Sequence, residues 1–240
     1  MRLCRVTPER AEGSPLRIYA VNVSEPLQAE LQDELTTLCS LNRRLGLRRF
    51  AREEDARRSL MGEMLLRAAL VQDWLPSDRI LTFRQDGYGK PYLDGINDIH
   101  FNISHSGDWC VCAVSECPVG IDVEQIREQR LEWTNAYLSS EEWDDLRIKR
   151  GAERLKRFYE IWTRKESYVK CLGRGLSLGL GTFSVVGESV NRLLPYRLQG
   201  LRLDDLHQAA ICTSLSSFPE QWQFMSVDQI GIRLLQAEAR

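Results

Sequence analysis

Between His100 and Glu124 the chain reads HFNISHSGDWCVCAVSECPVGIDVE, and this run restricts the fold more than any other. Two strand-like stretches, residues 100–104 and 109–115, flank a tight Ser-Gly-Asp turn, as in a hairpin. A further apolar, β-branched strand is expected at 119–123, just after Pro118. Pro118 and Gly120 also mark the best boundary between two parts of the chain, residues 1–118 and 119–240.

Helical periodicity surrounds this β-rich centre. Residues 28–45 carry Leu31, Leu35, Leu38 and Leu41 at three-to-four spacing, and residues 53–74 repeat Ala56, Leu60, Met64 and Ala68 every fourth position. A short strand is expected at 17–23, and Pro76 with Ser77 closes the second helix. In the second part, helices are expected at 140–149 and 155–172, with Ser139 and Glu142 spaced as a capping box. Strands are expected near 182–186, 196–203, 209–214 and 222–227. Each part therefore reads as helices followed by antiparallel strands, an α+β pattern.

Bulk properties are those of an ordinary soluble domain: 240 residues, 43% hydrophobic, 28% charged, net charge −2. Nothing global attracts nucleic acid or a membrane, no apolar run is long enough to span a bilayer, and no signal peptide is expected. Seven cysteines without metal-knuckle or redox spacing fit buried thiols in a cytoplasmic protein.

The chemistry-bearing residues are acids, one histidine and several cations. Asp122 and Glu124 stand two apart on a strand and so project from one face. Such hard oxygen ligands suit Mg²⁺, or Mn²⁺; two solvated acids at a strand end, contributing little to the core, is the plain alternative. Trp162, Glu166 and Lys170 are spaced by four on one helical face, which also permits simple Glu166–Lys170 pairing. Ser104 and His105, as neighbours on a strand, point to opposite faces and make a poor nucleophile–base dyad. Phosphate binding is the better reading of that pair, with a satisfied core histidine as its alternative. His100 and His207 are left structural. Seven arginines lie between Arg43 and Arg58, suited to phosphate or to local pairing with Glu53, Glu54 and Asp55. The stretch LGRGLSLGLG (172–181) lacks the ending of a P-loop.

The order of three blocks, GKP at Lys90, NISHSG around His105 with Asp122 and Glu124 following, and WTRKESYVK from Trp162 to Lys170, resembles the phosphopantetheinyl transferases of the surfactin-synthetase-activating type. The resemblance spans about residues 43–185. It implies a monomer of two similar α+β halves related by a pseudo-twofold axis, with the active site in the cleft between them. The first half would supply contacts to adenosine and the nucleotide phosphates, the second the metal acids and the catalytic helix. The implied reaction moves the 4′-phosphopantetheine arm of coenzyme A to a serine of an apo carrier protein or carrier domain, releasing adenosine 3′,5′-bisphosphate. Mg²⁺ would be held by Asp122, Glu124 and Glu166. Glu166, directly or through a water on the metal, would take the serine proton, and Lys170 would meet the leaving phosphate. Coenzyme A would be held by Arg43, Arg48, Arg58, Ser59, Lys90, Ser104, His105 and Lys170. Two departures are Arg174 in a common lysine position and Gly46 where relatives often carry a second lysine.

Two other functions are consistent with parts of the sequence. A nucleic-acid module built on the arginine cluster predicts affinity that collapses with salt, but gives the three acids and the GKP turn no purpose. An inactive scaffold that binds carriers would have no need to keep carboxylates clustered at electrostatic cost.

Overall fold

A computed structural model describes residues 15–76, 81–129 and 131–238. In chain order the first half runs β1 (Leu16–Asn22), α1 (Ala29–Thr37), α2 (Leu41–Leu47), α3 (Glu53–Asp73), β2 (Phe83–Gln85), β3 (Pro91–Leu93), β4 (His100–Ser106) and β5 (Trp109–Ser115). The second runs β6 (Val119–Gln125), α4 (Ser140–Arg147), α5 (Gly151–Leu172), β7 (Arg197–Arg202) and β8 (His207–Thr213), followed by β9 (Gln223–Phe224) and α6 (Val227–Glu238).

The two halves share one topology. In the first, sheet order is β4-β5-β1, with β9 added in parallel at the far edge; in the second it is β6-β8-β7. Each half opens with a strand, passes through a long helix and ends in a hairpin whose last strand pairs antiparallel with the opening one. This bears out two similar α+β halves. The alternation of β1 and β5 explains the layering. Tyr19, Val21, Cys110 and Cys112 face α3 in one core, while Ile18, Ala20, Val111 and Ala113 face Ile121, Val123 and Ile211 of the second sheet in another. A third core, centred on Phe158 and Ile161, lies around α5 and α4.

Helix α5 sits very close to β6. A Cβ on Gly120 would lie 2.0 Å from the Ser167 carbonyl oxygen and 2.3 Å from the Cys171 nitrogen. Gly120, which the sequence offers as a boundary signal, is the place where a helix touches a sheet.

Three expectations need correction. The helix expected at 28–45 is two helices, broken where the Ser40 hydroxyl accepts from the Arg43 N–H and caps α2. No strand forms at 182–186; Val185 and Val186 are buried in irregular chain, and the Glu142 carboxylate accepts the Val185 N–H in place of a ladder partner. The last expected strand is two residues long and is followed by α6, whose Ile230, Gly231 and Leu234 are buried. The signal for α6 was present in SVDQ: Ser226 and Gln229 exchange side chain to backbone hydrogen bonds as a capping box. Ser77, read as a helix stop, lies outside the described residues. The capping box at Ser139 and Glu142 is observed.

Candidate active site

A cavity of about 440 Å³ opens between the halves. From the second half it is lined by Asp122 and Glu124 on β6 and by Trp162, Glu166 and Lys170 on α5; from the first by Arg43, Ser59, Glu63, Ile103, Ser104 and His105. Strand alternation turns the first two acids to one face of β6, and the four-residue helical spacing turns the other three side chains to one face of the adjoining α5. A second cavity of about 1310 Å³ shares Arg43, Glu63 and Ile103 with the first and extends along α3 to β2.

Asp122 is the fourth residue of its seven-residue strand, 3% exposed, and so not a solvated strand-end acid. Its Oδ1 accepts from Lys170 Nζ at 2.6 Å and from the Ser104 hydroxyl at 3.0 Å, whereas its Oδ2 is buried with no partner. Burial raises its pKa, against the opposing pull of Lys170 and Ser104. Glu124 is pushed up to about 6 by burial and by the charge of Asp122; Ser106 and the Trp162 side chain hydrogen-bond to it. Burial, then Asp122, also raises Glu166. Three carboxyls thus face one cavity with Lys170 as the cation among them.

The cations of the site are paired within the chain, and the histidine beside them is held neutral. His105 is lowered by burial and then by Lys170 and Arg58, which disfavour a further positive charge. Arg43 is held by α3: its Nε is 2.9 Å from Glu63, and its Nη2 reaches the Ser59 carbonyl and hydroxyl at 2.8 Å. Lys170 reaches to Asp122 on the neighbouring β6, so simple pairing with Glu166 along the helix is not what the chain forms.

Of the other expected phosphate contacts, Ser104 lines the cavity but is hydrogen-bonded within the chain, and Arg48, Arg58 and Lys90 lie outside the lining. Ser104 spends its proton on Asp122 and accepts from the Val123 N–H and from Lys170, so its hydroxyl is already committed. Arg58 donates to the Gly107 carbonyl at 3.1 Å and pairs with Asp55. Arg48 lies on the exposed surface after α2. Lys90 is half-buried outside this cavity, its ammonium 2.6 Å from the Lys170 carbonyl and 3.2 Å from those of Cys171 and Val119. It therefore caps the C-terminus of α5 from the other half of the molecule. Gly173, at φ 67°, leaves room for the Lys90 stem, whose Cδ would be 3.1 Å from an added Cβ. Lys90→Met should leave those carbonyls without their donor and cost about 1–3 kcal/mol, with coenzyme A affinity little changed. Thermal melts and calorimetric titration check this; weakened binding with an unchanged melt would return Lys90 to the phosphates.

The motif residue Lys165 lies away from the cavity. It and Glu142 form an ion pair that is 0% exposed on both sides, with Lys165 also donating to the Leu180 and Phe183 carbonyls. Glu63 and Trp162 line the cavity and Ser106 hydrogen-bonds to Glu124 from beside it; none of the three was among the expected site residues. Ser106 was signalled by standing two residues from Ser104 on the same strand face. Trp162, four residues before Glu166, was legible as a neighbour but not as a partner of Glu124.

Comparison with known proteins identifies the family. Residues 118–223 match the model of the 4′-phosphopantetheinyl transferase superfamily, and residues 25–117 match that of the 4′-phosphopantetheinyl transferase N-terminal region. A 4′-phosphopantetheinyl transferase of Bacillus subtilis is 40% identical over 170 residues, 71% of this chain and 76% of the relative. This chain belongs to that superfamily. The transferase Sfp of Bacillus subtilis strain 168 is 32% identical over 223 residues, covering 90% of this chain and all of the relative. The transferase gsp of Aneurinibacillus migulanus is 38% identical over 210 residues, 84% and 87% of the two chains. The expected enzyme class and reaction, transfer of a phosphopantetheine group within this family, are thereby borne out. No helix among the described residues is long and apolar enough to cross a membrane.

Proposed function

We propose that this transferase uses the cavity between its halves to move the 4′-phosphopantetheine arm of coenzyme A onto a serine hydroxyl of an apo carrier protein. The observation that carries the assignment of residues is the convergence of Asp122, Glu124 and Glu166 on one cavity, with Asp122 Oδ2 buried and unpartnered. The first half, up to residue 118, would hold the nucleotide through Arg43, Ser59 and His105; the second would supply the acids and the catalytic helix. We take it to act as a cytoplasmic monomer.

The donor set fits a hard divalent cation such as Mg²⁺ or Mn²⁺. Burial raises all three carboxyls, and the charge of Asp122 raises Glu124 and Glu166 further, so a cation there would relieve an existing imbalance. Among the described residues no three acidic, histidine or cysteine side chains already form a closed cage. Mg²⁺ completes a partial protein shell with water and substrate phosphates, so a cation here would be held jointly by the acids and by coenzyme A. When bound by Asp122, Glu124 and Glu166 the ion supplies neutralisation of pyrophosphate charge.

The rest of the chemistry falls to side chains. The carrier serine oxygen forms a bond to the β-phosphorus as the bond from that phosphorus to the bridging oxygen breaks, and the bisphosphate departs with the electron pair. Glu166, which lines the cavity and whose pKa burial raises, would take the serine proton. Lys170 and His105 present positive or donor groups to the phosphates. The test is incubation with coenzyme A, Mg²⁺ and a panel of apo carriers, followed by intact mass: one phosphopantetheine should add to a carrier, and excess chelator should prevent it. No addition to any carrier would defeat the reading.

Lys170→Met should reduce turnover on the order of 10²-fold, the scale of one preorganised electrostatic contact, with coenzyme A affinity less affected. Lys170→Arg restores charge but has no proton to give, so rescue by arginine assigns charge stabilisation. Near-normal turnover in Lys170→Met would remove it from catalysis.

The pKa of Glu124 also sets a stability profile. Its folded value, about 6, exceeds the ordinary 4.5, so the folded state binds this proton more tightly. Its contribution is present below pH 4.5 and lost as pH rises through about 6. In chelator, wild type should therefore lose thermal stability relative to Glu124→Gln across that window, and Mg²⁺ with coenzyme A should recover it. Parallel melting curves for the two proteins would contradict the shift.

A further inference from the structure

Strands β4 and β6 run side by side without a backbone ladder; side chains of β4 span the gap. Asn102 Oδ1 accepts from the Ile121 N–H at 2.8 Å, Ser104 Oγ from the Val123 N–H at 3.3 Å, and Ser106 Oγ from the Gln125 N–H at 3.0 Å, each at a sequence offset of 19. The constant offset makes the pair parallel, and every second residue of β4 spends its side chain on the next free amide of β6.

At the two serines this arrangement also decides where the hydroxyl proton goes. A backbone N–H can only donate, so a hydroxyl that accepts from it must direct its own proton elsewhere. For Ser106 the acceptor is Glu124 Oε2 at 2.9 Å; for Ser104 it is Asp122 Oδ1 at 3.0 Å. Each serine therefore takes the amide of one β6 residue and gives its proton to the acid just before it. One oxygen of each acid is tied, which sets the direction of the other.

The Ser106 end is itself braced. Arg58 donates to the Gly107 carbonyl at 3.1 Å, and the Asp108 N–H donates to His207 Nε2 at 3.4 Å. Gly107 has φ 54°, and a Cβ there would lie 2.4 Å from His207 Nε2. The turn that carries Ser106 is thus held from both halves of the protein.

We propose that Ser106 is a positioning residue, whose hydroxyl, oriented by the Gln125 amide, fixes the rotamer of Glu124 so that its carboxylate faces the cavity. The proposal rests on the reading of Glu124 as a cation ligand. Ser106 touches no reacting atom; it acts through Glu124.

The test is Mn²⁺ binding in the presence of coenzyme A, read by electron paramagnetic resonance, beside transfer kinetics. Ser106→Ala should weaken Mn²⁺ roughly 10- to 100-fold, the usual effect of removing an outer partner of a ligand. The fall in transfer should appear in kcat, with KM for coenzyme A unchanged, and Ser106→Thr, which keeps the hydroxyl, should recover both. In a Glu124→Gln background Ser106→Ala should add little further loss, because the two act as one unit. Wild-type Mn²⁺ affinity in Ser106→Ala, or full additivity with Glu124→Gln, would overturn the proposal. Should the alanine variant not fold, Ser106→Cys, of similar shape but a weak donor, takes its place in the same comparison. A wild-type protein that binds Mn²⁺ but modifies no carrier defeats the functional reading alone, and the Ser106 comparison still decides this one. A wild type that takes up no Mn²⁺ defeats both.

Discussion

Lys165→Met is expected to lower folding stability by about 3–5 kcal/mol, the cost of leaving one charge of a buried pair without its partner. Glu142 is fully buried and accepts from Lys165 Nζ at 2.7 Å, from the Ser139 N–H at 2.8 Å and from the Val185 N–H at 2.8 Å. Lys165 in turn reaches the Leu180 and Phe183 carbonyls and lies over the Phe183 ring at 4.3 Å. One ion pair therefore closes the start of α4 and the irregular chain at 180–185 onto α5. Replacing both partners by apolar residues should not restore stability, because the Ser139 and Val185 amides would still lack acceptors. Denaturant midpoints at unchanged slope measure the effect. A loss under about 1 kcal/mol, the scale of an exposed pair, would show that water reaches these charges. Coenzyme A binding by whatever fraction remains folded should be normal, since neither residue lines the cavity.

Asp122→Asn should reduce transfer by more than 10²-fold, the scale of one preorganised electrostatic contribution, while keeping the fold. The amide retains an acceptor for Ser104 and Lys170 but loses the charge that a cation and Lys170 both use. Asp122→Ala goes further. It leaves the Lys170 ammonium partly buried without its partner, adding a stability loss of up to about 3–5 kcal/mol. The pair of variants separates chemistry from folding: Asn affects rate with a near-normal melt, and Ala affects both. Full activity of Asp122→Asn at ordinary Mg²⁺ would remove this residue's charge from the mechanism. A normal melt for Asp122→Ala would mean that Lys170 swings out to solvent when freed.

Much of the site was legible because it follows local rules. Asp122 and Glu124 share a face since strand side chains alternate; Trp162, Glu166 and Lys170 share one since helical positions recur every fourth residue. The hairpin around Gly107, the long helix at Glu53–Asp73 and the capping box at Ser139 rest on signals within a few residues. The errors arose where a local signal had two readings. Val185 and Val186 look like strand residues, but their burial is against α5 and a side chain satisfies the backbone. Residues after Gln223 look apolar enough for a strand, yet Ser226 and Gln229 start a helix there.

What the sequence by itself determined was the set of chemical groups, the faces on which they lie and the resemblance of their order to one enzyme family. Only the tertiary structure decided which groups meet. Lys170 bonds to Asp122, 48 residues away, and not to its helical neighbour Glu166; Lys90 caps α5 across 80 residues of chain. Glu142, legible as a helix cap, turned out to be the buried partner of Lys165. The physical reason is that propensity and periodicity act over a few residues. The partner of a buried charge is chosen by whichever acceptor packing brings within about 3 Å, once water can no longer serve.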